Sequence, residues 1–339
     1  MGVYVNDKIK FLTNKAWELS KFRELGLVFI IIILAIVVQS RNSEFLTPRN
    51  IDNLFTNTAI LAILSVGMMM VLLTGGIDLS IGSIVAFSGM VVGITVKNFP
   101  DIPPAILVAQ GALIGAAIGL VTGTLVARFS ILPIIATLGM MHIVRGLTFI
   151  VSGGAWVSAH QMPDSFKDMA QNTFLGINNL VVIAIVIFII FTIFINFTRT
   201  GRRIYAVGSN RDAADIIGLP RKRIVTLVYA LMGLLAGIGG VLWVSLFASA
   251  QGDTATGYEI FVIASCVLGG VAVSGGRGNV FGLLLGVLLF GLLANALPLI
   301  HVSPFWQQAI MGFVILFAII MNVLIKRNND RANLRRRVI

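Results

Sequence analysis

The stretch LVVIAIVIFIIFTIFI (180–195) contains no charged residue and, apart from Thr192, no polar one. A helix of that composition has no polar face to offer water. Its length approaches the roughly 20 residues needed to cross the hydrocarbon of a bilayer. LGLVFIIIILAIVV (25–38) is built the same way. Neither run alternates polar and apolar residues, so neither resembles the segments of about ten residues that build a transmembrane β-barrel. The whole chain agrees with these two runs. Of its 339 residues 57% are apolar and 12% charged, where a soluble domain carries about 25% charge. Such a chain cannot cover itself in water. The expected fold class is all-α, a polytopic membrane protein.

Apolar runs and their breakers place ten helices at about 25–40, 55–74, 80–97, 104–127, 132–151, 179–197, 224–247, 258–273, 280–299 and 305–325. The net charge of +11 would suit a nucleic-acid partner, but its distribution argues against one. Of 25 Lys and Arg, five lie in 1–24, seven in 199–223 and six in 326–339, each patch flanking an apolar span. That is the pattern of the positive-inside rule. An even number of spans puts both termini in the cytoplasm together with 198–223, Arg128 and Arg277. The outer loops receive Arg41, Arg49, Lys97 and Lys167, and Arg145 is left inside a span. The chain divides into a cytoplasmic segment 1–24, a membrane domain 25–325 and a basic cytoplasmic tail 326–339. The single cysteine, Cys266, forms no intrachain disulfide. With no evident cleavage site before the first span, the N-terminus reads as a retained anchor.

Two outer stretches exceed a turn. In SRNSEFLTPRN (40–50), Pro48 and Asn50 mark a helix start; SGGAWVSAHQMPDSFKDMAQNTFLGINN (152–179) is either functional or a long connection. GGIDLSIG (75–82) and GGVAVSGG (269–276) share Gly, Gly, Ser and Gly in register, and both interrupt apolar segments. Paired glycine breaks point to irregular backbone beside a substrate path. An internal duplication and a chance match both account for them.

Between two nearly pure hydrocarbon spans stands GSNRDAADIIGLPRKR (208–223). Ser209 or Asn210 can cap a helix, and Asp212 and Asp215 put negative charge in its first turns, where the helix dipole favours it. Gly218 supplies the stop, with Pro220 just beyond. The expected helix runs from Arg211 to Ile217, about 10 Å long. Helices that short are marginal in water, so it must pack against something through Ala213, Ala214, Ile216 and Ile217. A connecting turn between two spans is the plain alternative.

TRTGRRIYAVGSNRDAADIIGLPRKRIVTLVYALMGLLAGIGG (198–240) resembles the central segment of the ribose/galactose/xylose-type permease subunits of bacterial ABC importers. VLLTGGIDLSIGSIVA (71–86), ILPIIATLGMMHIVRGL (131–147) and CVLGGVAVSGGRGNVFGLLLG (266–286) resemble further segments of that family, in the same order. The resemblance covers almost the whole chain. It implies about ten membrane helices per subunit, two subunits (copies or paralogues) around one pore in a bacterial inner membrane, and an extracytoplasmic sugar-binding protein above. Below would sit an ABC ATPase subunit, single or with tandem ATPase domains. It also implies that the central loop is a coupling helix seated in a groove of the ATPase. Carried onto this chain, the coupling residues are Gly208, Asn210, Arg211, Asp212, Ala213, Ala214, Asp215, Ile216, Ile217 and Gly218. The outer loops 40–52, 152–178 and 248–257 would receive the binding protein.

No G-x-x-x-x-G-K-[ST] loop occurs, and GGRGNVFG (275–282) lacks its lysine. No metal-spaced His/Cys cluster or nucleophile–base constellation stands out. No cofactor is expected on this chain, and ATP-Mg belongs to the partner ATPase. Ionisable groups within spans are costly enough to be read as functional first. Asp78 either caps the third span or lines a path or gate. Arg145, one turn after His142, either touches a sugar hydroxyl, braces helices or snorkels outward. Asn57, Thr58, Thr74, Thr137 and Asn295 are hydroxyl-compatible path candidates, though such groups also serve as helix contacts. GALIGAAIGLVTG (111–123) reads as close packing, and Met68, Met69 and Met70 as filling.

The reading favoured is a permease for a monosaccharide. Relatives of this kind that carry a furanosyl signalling molecule or a nucleoside are not separated from it. An ion-coupled secondary transporter would need acidic residues deep in the spans, for which only Asp78 offers itself; a channel or scaffold has no evident use for 198–223.

Overall fold

The computed structural model describes residues 24–335. The segment predicted at 1–24, save Glu24, and the last four residues of the basic tail lie outside the described residues. Helices α1 (Glu24–Arg41), α2 (Pro48–Leu73), α3 (Ile81–Asn98), α4 (Pro104–Ala127) and α5 (Pro133–Ser152) come first. An excursion between apolar helices follows with α6 (Asp164–Gln171) and a two-stranded hairpin, β1 (Thr173–Phe174) and β2 (Ile177–Asn178). Then come α7 (Asn179–Phe197), α8 (Arg199–Ser209), α9 (Arg211–Ile216), α10 (Arg221–Phe247), α11 (Tyr258–Leu268), α12 (Val280–Leu299) and α13 (Pro304–Arg335). Among the described residues, eight helices are long and apolar enough to span a membrane, and Tyr258–Leu268 and Pro304–Phe317 are shorter apolar helices. These are the ten expected segments.

Their ends follow local chemistry. Pro48, Pro104 and Pro133 stand in the first turns of α2, α4 and α5, where a missing N–H costs nothing. Thr47 caps α2 by accepting from the Asn50 N–H, so the helix begins seven residues before the expected 55. The eighth apolar helix stops at Leu268 instead of 273, because Gly269 and Gly270 (φ +97°) release the backbone.

The order of burial sorts the helices. α2 is almost wholly enclosed, with Met68, Met69 and Met70 in the core, whereas α1 and α7 are largely exposed and present Phe29, Ile33, Ile189 and Ile193 outward. The closest pairing is α4 on α10. Gly111, Gly115, Gly119 and Gly123 recur every fourth residue along one face of α4. A Cβ at Gly115 would collide with the Gly233 carbonyl and lie 2.8 Å from Gly237 Cα; one at Gly119 would collide with the Tyr229 carbonyl. Small residues let the backbones meet where lipid offers no hydrophobic drive.

Candidate functional site

Three stretches leave helical geometry inside the bundle: 74–80 between α2 and α3, 248–257 between α10 and α11, and 269–279 between α11 and α12. Backbone groups freed in a membrane must find partners within the protein. Those of 74–80 do so through side chains of distant helices. The Tyr229 hydroxyl donates to Ile77 O at 3.2 Å and Thr137 Oγ1 to the same carbonyl at 3.5 Å. Arg211 Nη2 donates to Gly75 O at 3.1 Å and Thr74 O at 3.5 Å. The Gly276 N–H donates to Leu73 O at 2.9 Å, joining the first glycine break to the second. The two matching motifs also meet directly, since a Cβ at Gly275 would stand 3.0 Å from Gly75 N.

Asp78 is fully buried in the first break. Its Oδ1 accepts from the Ser80 N–H at 2.8 Å and Ser80 Oγ at 2.6 Å, while Oδ2 has no hydrogen-bond partner. The N-cap position of α3 is Ser80, whose own side chain makes no cap bond. Asp78 thus closes a turn onto Ser80, the residue just ahead of α3, through both its N–H and its hydroxyl. Asp78→Ala should lower unfolding stability by about 1–3 kcal/mol, because it leaves a buried N–H unpaired, whereas Asp78→Asn keeps an acceptor there and should stay near wild type. Thermal unfolding in detergent measures both; an unchanged midpoint for alanine would show that the turn does not depend on this carboxyl group.

Arg145 braces. Its Nη1 donates at 2.8 Å to both Gly252 O and Thr254 O. The stretch 248–257 expected on the outer surface is drawn inward by these bonds and by the Val157–Ala250 bridge, with Ala250, Gly252 and Ala255 buried. It reaches the first turn of α3, where a Cβ at Gly82 would collide with Ala255 O and stand 2.6 Å from Glu259 Oε2. Glu259 is a second acidic group beside the third span that sequence reading missed. It stands in the first turn of α11, and its apolar neighbours in sequence gave no sign that it would meet α3.

Asn57, Thr58 and Asn295 come together with Trp243, Tyr258 and Phe290 around a cavity of about 300 Å³ near the N-terminal end of α2 and the C-terminal end of α10. Asn295, however, is committed to a reciprocal amide pair: Asn50 Nδ2 donates to Asn295 Oδ1 at 3.0 Å and Asn295 Nδ2 returns to Asn50 Oδ1 at 3.1 Å. It joins α12 to α2. Thr74 lies at the opposite end, in a cavity of about 140 Å³ with Gly75, Ser130, Arg211, Arg221 and Tyr229. The expected path residues are thus split between the two ends, with Asp78, Thr137 and Arg145 between them.

The basic stretch 198–223 holds two short helices, α8 leading into the charged insert and α9 within it. Thr198 caps α8 by accepting from the Gly201 N–H at 3.0 Å, and Ile204 and Val207 turn its apolar face inward. Two buried apolar positions in eleven residues were too few to reveal it by period. In α9, Asn210 accepts from the Ala213 N–H at 3.0 Å. The helix ends at Ile216, one residue before expectation, with Gly218 at φ +73°. Leu219 N–H donates to Ala214 O and Gly218 N–H to Asp215 O, the paired bonds of a Schellman cap. Asp215 pairs with Arg221 at 3.1 Å on the surface, an ion pair of small worth. Asp212 and Ala213 are exposed. Ala214, at 2% exposure, packs into the chain's own core, whereas Ile216 and Ile217 stand 85% and 70% exposed. Gly208 is a joint: a Cβ there would collide with Leu73 O and stand 2.8 Å from Gly276 N. Tyr205, unnoticed in the sequence, donates to Gly278 O at 3.0 Å, and burial pushes its phenol above the ordinary range, so it remains a donor. No group of acidic, His and Cys residues that could hold a metal ion exists among the described residues.

Comparison with known proteins places this geometry. Residues 50–319 match the family described as branched-chain amino acid transport system / permease component. The L-arabinose ABC transporter permease protein AraH of Azospirillum brasilense is 38% identical, covering 93% of this chain and 91% of its own. The ribose import permease protein RbsC of Escherichia coli K12 is 37% identical over 91% of this chain and 95% of its own. The fructose import permease protein FruG of Bifidobacterium longum is 34% identical over 88% and 89%. No solved structure matches the chain. With a family match across most of its length and the apolar helices of a multi-pass membrane protein, the chain belongs to the branched-chain amino acid transport system / permease component family.

Proposed function

We propose that this chain is the membrane-spanning subunit of an ATP-driven importer that moves a monosaccharide delivered by an extracytoplasmic binding protein. It works beside a second copy or a paralogue and holds a separate ATPase through α9. The observation that carries the reading is α9 itself: a doubly capped helix of six residues, seated by Ala214, that offers two exposed isoleucines among charged neighbours. Exposed apolar side chains set among charged residues, away from the apolar spans, suit a protein contact better than lipid. On this reading 198–223 and both termini face the cytoplasm, which the basic residues of 1–24 and 326–339 support. The chain itself holds no cofactor, and ATP-Mg stays on the ATPase.

The sugar is supported by the relatives, named for arabinose, ribose and fructose. It is supported also by the outer cavity, whose volume of about 300 Å³ sits at the small end of ligand sites. Aromatic rings there suit the C–H faces of a sugar, and Asn57 and Thr58 suit its hydroxyls. Asp78, Thr74 and Thr137 then belong to an inner gate, with Arg145 bracing the stretch above it. The test is uptake by proteoliposomes carrying the chain, its ATPase and its binding protein, with radiolabelled arabinose, ribose and fructose. ATP- and binding-protein-dependent accumulation of one sugar is expected. Accumulation driven by an ion gradient without the ATPase would replace this reading with a secondary transporter.

A further inference from the structure

The elbow formed by α8 and α9 is fastened to the membrane body at both glycine breaks. At the first, the Arg211 guanidinium reaches back from α9 to the carbonyls of Gly75 and Thr74. It lies so close that a Cβ at Gly75 would stand 2.8 Å from Nη2, and Gly75 itself adopts φ +75°. At the second, Tyr205 of α8 donates to Gly278 O. The breaks are fastened to each other through the Gly276 N–H and Leu73 O. Gly208, at the end of α8, is wedged against that same bond, with no room for a side chain. Five residues beyond Leu73 lies the Asp78 turn, where a buried carboxyl oxygen has no partner.

An arginine on a docking helix has a bland use, which is to stay in water and meet an acidic partner. This one is exposed, yet its guanidinium reaches back to the Gly75 and Thr74 carbonyls, which have left helical geometry. Ala214 seats α9 on the core at a single point, and a short helix held there and at its chain ends can still rock and absorb a displacement. A charge-assisted bond to the break removes that freedom. We propose that Arg211 is a positioning residue of the transport cycle: it clamps α9 to the Thr74–Gly75 backbone, so that a displacement of α9 reaches the turn holding Asp78. Tyr205 secures the other side of the elbow to the second break. The inference rests on the assignment of α9 as the ATPase contact.

The test uses the full complex of permease, ATPase and binding protein in proteoliposomes. It compares wild type with Arg211→Met, Arg211→Lys and Tyr205→Phe. Three quantities are read in each sample: ATPase subunit retained, ATP hydrolysed, and the transported sugar accumulated. Arg211→Met should lower sugar accumulated per ATP hydrolysed by at least about fivefold, the scale of a weak coupling between sites, and Arg211→Lys, which keeps a charged donor, should recover at least half of the wild-type ratio. Tyr205→Phe should lower the ratio about twofold or more, the worth of one neutral hydrogen bond. A merely structural or docking role would reduce retained ATPase and transport together and leave the ratio as in wild type; that result overturns the proposal. If Arg211→Met does not accumulate in the membrane, the Tyr205→Phe ratio decides, and a wild-type ratio there overturns it. A wild-type permease that holds no ATPase overturns the coupling assignment as well, whereas a coupled wild type with an unaffected Arg211→Met ratio overturns this inference alone.

Discussion

Replacing both Ile216 and Ile217 with aspartate should release the ATPase while the permease stays folded. The two side chains, at the last residue and the C-cap of α9, are 85% and 70% exposed. Covering each in a partner's groove is worth about 1.5–3 kcal/mol. Losing both, about 3–6 kcal/mol, weakens the complex roughly 10²- to 10⁴-fold. ATP-dependent uptake should fall to background, and the unfolding midpoint of the permease alone should not move. Ala214→Arg should also lose the ATPase, but for a different reason. Its Cβ lies in the core under α9, so an arginine there must unseat the helix, and the midpoint should drop. Co-purification and thermal unfolding of the same samples separate the two. A double aspartate variant that keeps its ATPase would show that the isoleucines face lipid and that the partner docks elsewhere.

The second large effect is expected far from any partner, at Gly115. Leucine there should prevent folding. Its Cβ would collide with the carbonyl of Gly233 and press on the N and Cα of Gly237 at 2.8 Å. All three contacts are backbone, so no rotamer change relieves them, and α4 must move off α10. Overpacking costs 1–3 kcal/mol where side chains can shift; here the cost should reach at least about 3 kcal/mol, the upper end of that range. The same glycine-to-larger change is harmless where the helix face is open. Nothing lies within 4 Å of a Cβ at Gly139 on α5, and alanine there should stabilise its helix by about 0.5–1 kcal/mol. Membrane yield and unfolding midpoint of Gly115→Leu and Gly139→Ala provide the comparison. Equal behaviour would mean that the α4–α10 seam is not what holds these helices together.

These two sites differ in how openly the sequence displays them. Every fourth residue of 111–123 is glycine on one side of α4, and such a stripe reads as close packing before any coordinates exist. The partner face is less plain, because Gly233 and Gly237 stand among other small residues of α10. At α9 the caps were legible: Asn210 and Gly218 act where their chemistry says they should. Which alanine faces inward was not. Ala213 and Ala214 are chemically alike, and only the seating of α9 on the body separates the exposed one from the buried one.

The polar residues show the limit more sharply. Asn57, Thr58 and Asn295 share a cavity, yet Asn295 is tied to Asn50 across 245 positions of chain. Arg145 finds its acceptors more than 100 positions away, at Gly252 and Thr254. No local pattern announces such partners. Composition determined that this chain spans a bilayer, and the linear order of apolar runs and breakers determined how many apolar segments it has and where the charged insert falls. Transfer of a segment out of water is a sum over its own residues, and short-range caps depend on neighbours within a turn. Which face of each segment meets protein, and that 74–80, 208 and 276 converge on one joint, was decided by tertiary structure. Lipid tails are as apolar as leucine, so the hydrophobic pattern that orients a helix in a soluble protein is silent in a membrane. There, close backbone approach and the need to satisfy freed carbonyls choose the neighbours.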